Sequence, residues 1–189
     1  MKNIYLDNAA TTPLSEKAFE AMKPYFTDVF GNANSQHAFG REAAKAVADA
    51  RQTIAECIGA KPSEIYFTSC GTEADNWALK GIASQLKDKG KHIVTSVIEH
   101  PAIHTACKQL EKYGWEITYL PVDGQGFVSA RDLENALRED TVLVSIMYAN
   151  NEIGTVQPIG ELCEIAHKHG VLFHTDAVQA TGAIKYDVK

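Results

Sequence analysis

From residue 64 onward the chain repeats one pattern: a short apolar run suited to a strand, then a longer stretch with helical spacing. Glu64-Ile65-Tyr66-Phe67-Thr68-Ser69 reads as the first strand, followed by a helix from Gly71 to about Lys89. His92 to Val97 reads as the second strand, with a helix opening near Pro101, and Glu116 to Pro121 as the third. Leu133 to Arg138 lies on a short helix. Thr141 to Tyr148 is almost continuously apolar, as expected of a strand buried on both faces. Pro158 opens a further helix, Gly170 stops it, and residues 171–176 form the fifth strand. Strands alternating with helices predict an α/β domain built on a mostly parallel sheet. Residues 15–26 and 40–58 also carry helical spacing, with the loop Gly31-Asn32-Ala33-Asn34-Ser35 between them. Residues 1–60 are therefore expected to form an N-terminal arm and helices, and residues 61–189 the sheet domain.

Composition narrows the function classes. The 189 residues are 45% hydrophobic and 22% charged, an ordinary globular balance. A net charge of -6 argues against general nucleic-acid binding, which needs a basic surface. The cysteines Cys57, Cys70, Cys107 and Cys163 form no CxxC pair, which suits a reducing compartment better than a disulfide framework. No apolar run approaches the ~20 residues of a membrane span. Residues Met1 to Thr12 carry no apolar signal core. The expectation is a cytoplasmic protein with no membrane or nucleic-acid partner.

In an open α/β sheet, ligands bind beyond the carboxyl ends of the strands, so the residues just past each strand carry the candidate chemistry. Ser69-Cys70-Gly71-Thr72-Glu73-Ala74-Asp75-Asn76 enters a helix through small residues. The free amides and dipole of that helix start favour a phosphate, and the Thr72 hydroxyl adds a donor. Thr72 and Asp75 also fit the N-cap and N3 positions of an imperfect capping box. There is no Walker pattern and no GxGxxG. In Glu99-His100-Pro101, His100 can stack on a flat ligand or move protons, or sit in a surface loop. In Asn150-Asn151-Glu152-Ile153-Gly154-Thr155, paired asparagines suit a turn, and equally a polar ring substituent. In His174-Thr175-Asp176-Ala177-Val178-Gln179, a carboxylate at the end of an apolar strand is costly to desolvate without a cation beside it. A protonated pyridine nitrogen would serve, while capping of the following turn is the alternative. Phosphate cradle, histidine, amide and acid together match pyridoxal phosphate. A rival reading gathers His100, His104, His174 and Asp176 as ligands of a metal-dependent hydrolase. Pro101 weakens it by putting His100 at or before a helix start, and no metal site is expected.

The segments Tyr5-Leu6-Asp7-Asn8-Ala9-Ala10-Thr11-Thr12 and Phe30-Gly31-Asn32-Ala33-Asn34-Ser35-Gln36-His37 lead an ordered series. Phe67-Thr68-Ser69-Cys70-Gly71-Thr72-Glu73-Ala74-Asp75-Asn76, Glu99-His100, Tyr148-Ala149-Asn150-Asn151-Glu152-Ile153-Gly154 and His174-Thr175-Asp176-Ala177-Val178-Gln179 complete it. Through them the chain resembles the cysteine desulfurases of the NifS/IscS type, within the class V aminotransferase-like group. The resemblance implies a three-layer, pyridoxal-phosphate-dependent transferase large domain, incomplete in this chain. It implies that Gly71 and Thr72 bind the cofactor phosphate and that His100 stacks on the ring as a catalytic acid/base. Asn151 and Gln179 would hydrogen-bond around the ring, Gln179 at its phenolic oxygen, and Asp176 would pair with the pyridine nitrogen. The implied reaction converts L-cysteine to L-alanine and leaves a persulfide on an enzyme cysteine. A sulfur-acceptor protein, for iron-sulfur cluster or thio-cofactor synthesis, and a homodimer are the implied partners.

Two departures accompany the resemblance. Cys70 stands where the family usually has a small residue; a buried filler is the expectation, with a lowered thiol pKa at a helix start as the other reading. Cys57, Cys107 and Cys163 are expected to fill core. No lysine here matches the family's Schiff-base lysine in its Ser/His/Lys segment, and no cysteine matches its persulfide loop. The expectation is a fragment or half that needs a complementary C-terminal chain, whether split, cleaved or deliberately shortened. A short protein with rearranged strand pairing is the third possibility. A non-catalytic half that only cradles pyridoxal phosphate is the functional alternative.

Overall fold

Four parallel strands make the sheet of the computed structural model, which describes residues 3–189. The chain divides into two units, residues 3–67 with 185–189, and Thr68–Ile184.

In the first unit, α1 (Glu16–Met22) starts at Ser15, whose hydroxyl accepts the Ala18 N–H at 3.2 Å. Pro24 opens the short α2 (Pro24–Thr27) and so separates it from α1, where a single helix over 15–26 is expected. The long α3 (Ala38–Ile58) is capped by His37, whose Nδ1 accepts the Gly40 N–H. It ends at Gly59, whose φ of 74° is open to glycine at little cost. The Val188 N–H returns to the Ile58 carbonyl at 3.0 Å. Leu6, Phe26 and Phe30 are each more than two-thirds exposed in this unit.

The second unit holds α4 (Gly71–Leu86), β1 (His92–Ser96), α5 (Pro101–Glu111), β2 (Glu116–Leu120), α6 (Ala130–Ala136), β3 (Thr141–Ser145), α7 (Ile159–Lys168) and β4 (Leu172–His174). Strand order is β2-β1-β3-β4, and every pair is parallel. Alternate side chains feed two cores. Ile93 and Leu143 pack with Leu79, Ile103 and Cys107 of α4 and α5. Val94 and Val144 pack on the opposite face with Leu133 of α6 and Leu162 of α7. This is the expected three-layer α/β arrangement, and each fully buried Leu or Ile contributes roughly 1.5–3 kcal/mol. Helices on both faces explain why β1 and β3 are buried at every position.

The expected strand at 64–69 does not form. Pro62–Glu64 is a 3-10 turn, and Ile65, although extended at φ -96° and ψ 125°, enters no ladder among the described residues. β-propensity becomes a strand only where a neighbour takes up the backbone hydrogen bonds. The runs at 141–148 and 171–176 shorten to Thr141–Ser145 and Leu172–His174. Backbone pairing still continues past those ends, with Ile146 N–H on the His174 carbonyl (3.1 Å) and Tyr148 N–H on that of Asp176 (2.9 Å).

Gly90 lies where the entry to β1 runs against the turn before β3, and a Cβ there would collide with the Asp140 carbonyl. Gly90→Ala should lower the unfolding free energy by about 1–3 kcal/mol, the usual cost of overpacking against backbone. Gly81 on α4 meets only the Trp77 ring at 3.7 Å, and Gly81→Ala should raise stability by about 0.5–1 kcal/mol. Urea denaturation of the two variants checks both signs.

Candidate functional site

The strand order reverses between β1 and β3, since β2 lies on one side of β1 and β3 on the other. At such a switch point the loops leaving the strand ends diverge and open a crevice. Here they are tied across it. Ser96 Oγ donates to Glu99 Oε1 at 2.6 Å, and the Met147 N–H lies 3.0 Å from both Glu99 oxygens. Asn150 Nδ2 donates to the Ile98 carbonyl at 2.8 Å, so a second bond joins the same two loops. Burial pushes the Glu99 carboxyl up to about 7, against the opposing pull of Ser96 and Met147.

The two asparagines divide the work that sequence left open. Asn150 holds the turn: its Oδ1 accepts the Glu152 and Ile153 N–H groups at 2.8 and 3.0 Å. Asn151, half-buried beside it, has no side-chain hydrogen bond among the described residues. His100 is the N-cap of α5. Its Nδ1 accepts the Ala102 N–H at 3.1 Å, so the proton belongs on Nε2. The capping role and an Nε2 that carries the ring's proton are compatible.

On the other side, α4 begins with Gly71. The expected capping box does not form, because the helix starts two residues earlier. Cys70 is the N-cap residue, Thr72 lies in the first turn, and Glu73 folds back to accept the Ser69 N–H and hydroxyl, both at 2.6 Å. Asp75 therefore caps nothing. Cys70 is exposed, contrary to the expected buried filler, because its position precedes the helix and faces outward. The Glu73 amide, the Ser69 hydroxyl and the Thr72 amide draw its thiol below the usual value. Cys57 is likewise exposed, on the outer side of α3, and Cys163 is half-covered; only Cys107 fills core as expected.

A Cβ on Gly71 would come within 2.9 Å of Val178 Cγ2, so the start of α4 lies directly against the segment that carries Asp176 and Gln179. Asp176 is buried, and its Oδ1 accepts the Val178 N–H at 3.0 Å. The capping role is thus present, and the carboxylate has no cationic partner among the described residues. Gln179 is half-buried in the turn that follows. The structure brings Gly71 to the Asp176 segment, and Glu99 to the loop before Asn150 and Asn151.

Sequence reasoning missed the charge cluster behind these residues. Asp75 is 4% exposed and lies on the stripe that continues as Leu79 and Ala83. A carboxylate in phase with an apolar helix face is the signal that could have found it. Burial, then the Asp176 charge, pushes Asp75 up to about 7. His174 Nε2 is 3.7 Å from Asp75 Oδ1, but burial lowers His174 to about 4, so the contact is not an ion pair at neutral pH. His174 Nδ1 instead meets Ser145 Oγ at 2.9 Å. His104 stacks on Tyr119, with ring centroids 5.7 Å apart. Among the described residues no group of three or more His, Cys, Asp or Glu side chains could hold a metal ion, so the hydrolase ligands are not gathered.

An anion-binding helix start beside an unpaired buried carboxylate fits a ligand with an anionic tail and a flat cationic ring.

Residues 4–189 match the family model described as Aminotransferase class-V. A cysteine desulfurase IscS of Dictyoglomus turgidum is 57% identical over 187 residues, covering 99% of this chain and 48% of that protein. A cysteine desulfurase IscS of Methanosarcina thermophila is 55% identical over 188 residues, covering 100% of this chain and 46% of that protein. A solved NifS-like protein superposes with a TM-score of 0.96 at 41% identity, over 99% of this chain and 52% of that one. The structure of SspA in complex with cysteine gives a TM-score of 0.94 at 41% identity, over 97% and 53%. The chain spans about half the length of the curated relatives it matches. No helix among the described residues is long and apolar enough to cross a membrane.

The raised Asp75 pKa fixes a sign for stability. Between its ordinary 3.8 and about 7 the folded chain binds more protons than the unfolded one, so this group's contribution falls as pH rises through that window. Asp75→Asn should therefore raise the unfolding free energy at pH 8, by about 1–3 kcal/mol. The gain should shrink toward pH 5. Urea denaturation at the two pH values reads it, and the opposite His174 contribution cancels because both chains carry it.

Proposed function

The chain belongs to the class-V aminotransferase family, and we propose that it forms the cofactor-cradling half of a cysteine desulfurase that uses pyridoxal 5'-phosphate. The observation that carries this is the approach of Gly71 to Val178, which brings the start of α4, a helix end suited to a phosphate, to the segment of the Asp176 carboxylate. When bound, pyridoxal phosphate supplies an electron sink for reactions at the α- and β-carbons of an amino acid.

The residues divide the work by chemistry. The amides of Gly71 and Thr72, with the Thr72 hydroxyl, would hold the phosphate dianion against the α4 dipole. Asp176 holds the proton on the ring nitrogen; its Oδ1 is already fixed by Val178, so the carboxylate meets the ring in one orientation. His100 would stack on the ring and move a proton at Nε2, its Nδ1 being committed to Ala102. The Asn151 amide and Gln179 orient the ring through its polar substituents, Gln179 at the phenolic oxygen. Glu99 and Asn150 keep the loops of His100 and Asn151 in register.

The substrate in this reading is L-cysteine, the products L-alanine and enzyme-bound persulfide sulfur, passed on to an acceptor protein in a reducing, cytoplasmic setting. The lysine and persulfide-cysteine chemistry is assigned to a complementary polypeptide segment. The exposed Leu6, Phe26 and Phe30 supply apolar surface for that segment or for a second copy in a dimer. A half that cradles the cofactor without turnover is the second reading, and it rests on the same geometry.

The 189-residue chain alone, mixed with pyridoxal phosphate, should give a dialysable aldehyde spectrum and no sulfide from L-cysteine. Adding a polypeptide that carries the Ser/His/Lys segment should give an absorbance band that resists dialysis and cysteine-dependent alanine; cradling alone would give neither. Asp176→Asn should weaken pyridoxal phosphate binding about 10-fold to 100-fold, the loss of one charge-assisted hydrogen bond. Equal affinity in the two chains would overturn the cradle.

A further inference from the structure

Asp75 has no part in the cradle described above, yet it is a buried carboxyl without a hydrogen-bond donor beside it. It lies on α4, 4% exposed, and no hydrogen-bond donor among the described residues reaches its carboxylate. His174 Nε2 stands 3.7 Å away, beyond hydrogen-bond range. Asp75 on α4 and Asp176 just past β4 lie along one packed seam, where Gly71 meets Val178 and Asp75 meets His174, and Glu99 is a third buried carboxylate, in the turn after β1. Their charges act on one another, Asp176 on Asp75, and both on Glu99.

The other elements packed here bring no compensating charge. β3 presents the neutral Ser145, which anchors His174. α5 turns His104 onto Tyr119 and keeps Cys107 in the core. His174 is held neutral by burial. No lysine or arginine among the described residues pairs with any of the three carboxylates. A desolvated carboxyl with no donor and no cation beside it is costly to ionise, so a proton is held here. Its location follows from the donors. Glu99 is raised by burial as Asp75 is, but it accepts from Ser96 and Met147, which oppose that rise, and Asp176 accepts from Val178. Asp75 accepts from nothing.

We propose that Asp75 stores a proton at the back of the cradle, and that docking of a cationic ring at Asp176 expels it to solvent. The O–H bond of the Asp75 acid breaks, its electron pair stays on the carboxylate, and the proton passes to buffer. The incoming positive charge replaces the one that leaves, so the buried site changes little in net charge. This inference rests on the cradle reading, and it makes ring binding tighter as pH rises through neutrality.

The test is calorimetry of the full chain with 4'-deoxypyridoxine 5'-phosphate, which lacks the aldehyde and forms no adducts with lysines. Titrations near pH 7 in two buffers of different protonation heat give the protons released per ligand. Sulfate, which fills the anion site without a ring, is the control. The unmodified chain should release a substantial fraction of a proton with the ring ligand and none with sulfate. Asp75→Asn should still bind and lose most of that release. An equal proton count in the two chains overturns the inference and leaves the cradle standing. No binding by the unmodified chain overturns the cradle, and the inference with it. Should Asp75→Asn fail to fold, infrared difference spectra of the unmodified chain decide: binding must remove a protonated-carboxyl C=O band, and an unchanged band overturns the proposal.

Discussion

Glu99 ties the carboxyl ends of β1 and β3 together where the sheet reverses direction, and the cradle follows from that tie. A parallel pair with helices on both faces has no hairpin to close it, so its two exit loops are independent unless side chains join them. One carboxylate takes the Ser96 hydroxyl from one loop and the Met147 amide from the other. Asn150 returns the link in the opposite sense through the Ile98 carbonyl. His100 and Asn151 each stand one residue beyond a member of this brace. Their positions are inherited from buried groups that touch no ligand, the usual way a loop residue acquires the precision of a strand.

Much of this was legible from the chain because the informative signals were local. Proline starts, glycine stops and buried apolar runs marked most helices and strands, and His100, Asn151, Asp176 and Gln179 lay just past strand ends, whereas Gly71 and Thr72 follow a run that pairs with no strand. What stayed hidden depended on partners far away in sequence. Residues 64–69 have strand composition, but a strand is a relation between segments, and no neighbour among the described residues takes up its hydrogen bonds. The asparagine pair was ambiguous because both residues are chemically identical; only the Ile98 carbonyl, 52 residues away, separates the turn holder from the free amide. Asp75 looked like a cap because caps are common near helix starts. The actual start two residues earlier carries it past the capping positions and into the buried stripe.

The cluster also shows how a cradle can be costly to fold and well suited to bind. A buried carboxyl without a donor is costly to fold, and a chain selected for stability alone would replace Asp75 with a neutral side chain. The same cost is relieved when a cation enters, so part of what folding loses is recovered as affinity. The orientation is already set, since Val178 fixes Asp176 and Ser145 fixes His174 before any ligand arrives. Dipoles and charges that need not reorganise are worth more than the same groups on a mobile surface, because their ordering is completed during folding. A site that binds a ring by its nitrogen must keep one carboxylate ionised in a dry place. Placing a second, protonatable carboxylate behind it allows that charge to exist without a permanent cation from the protein.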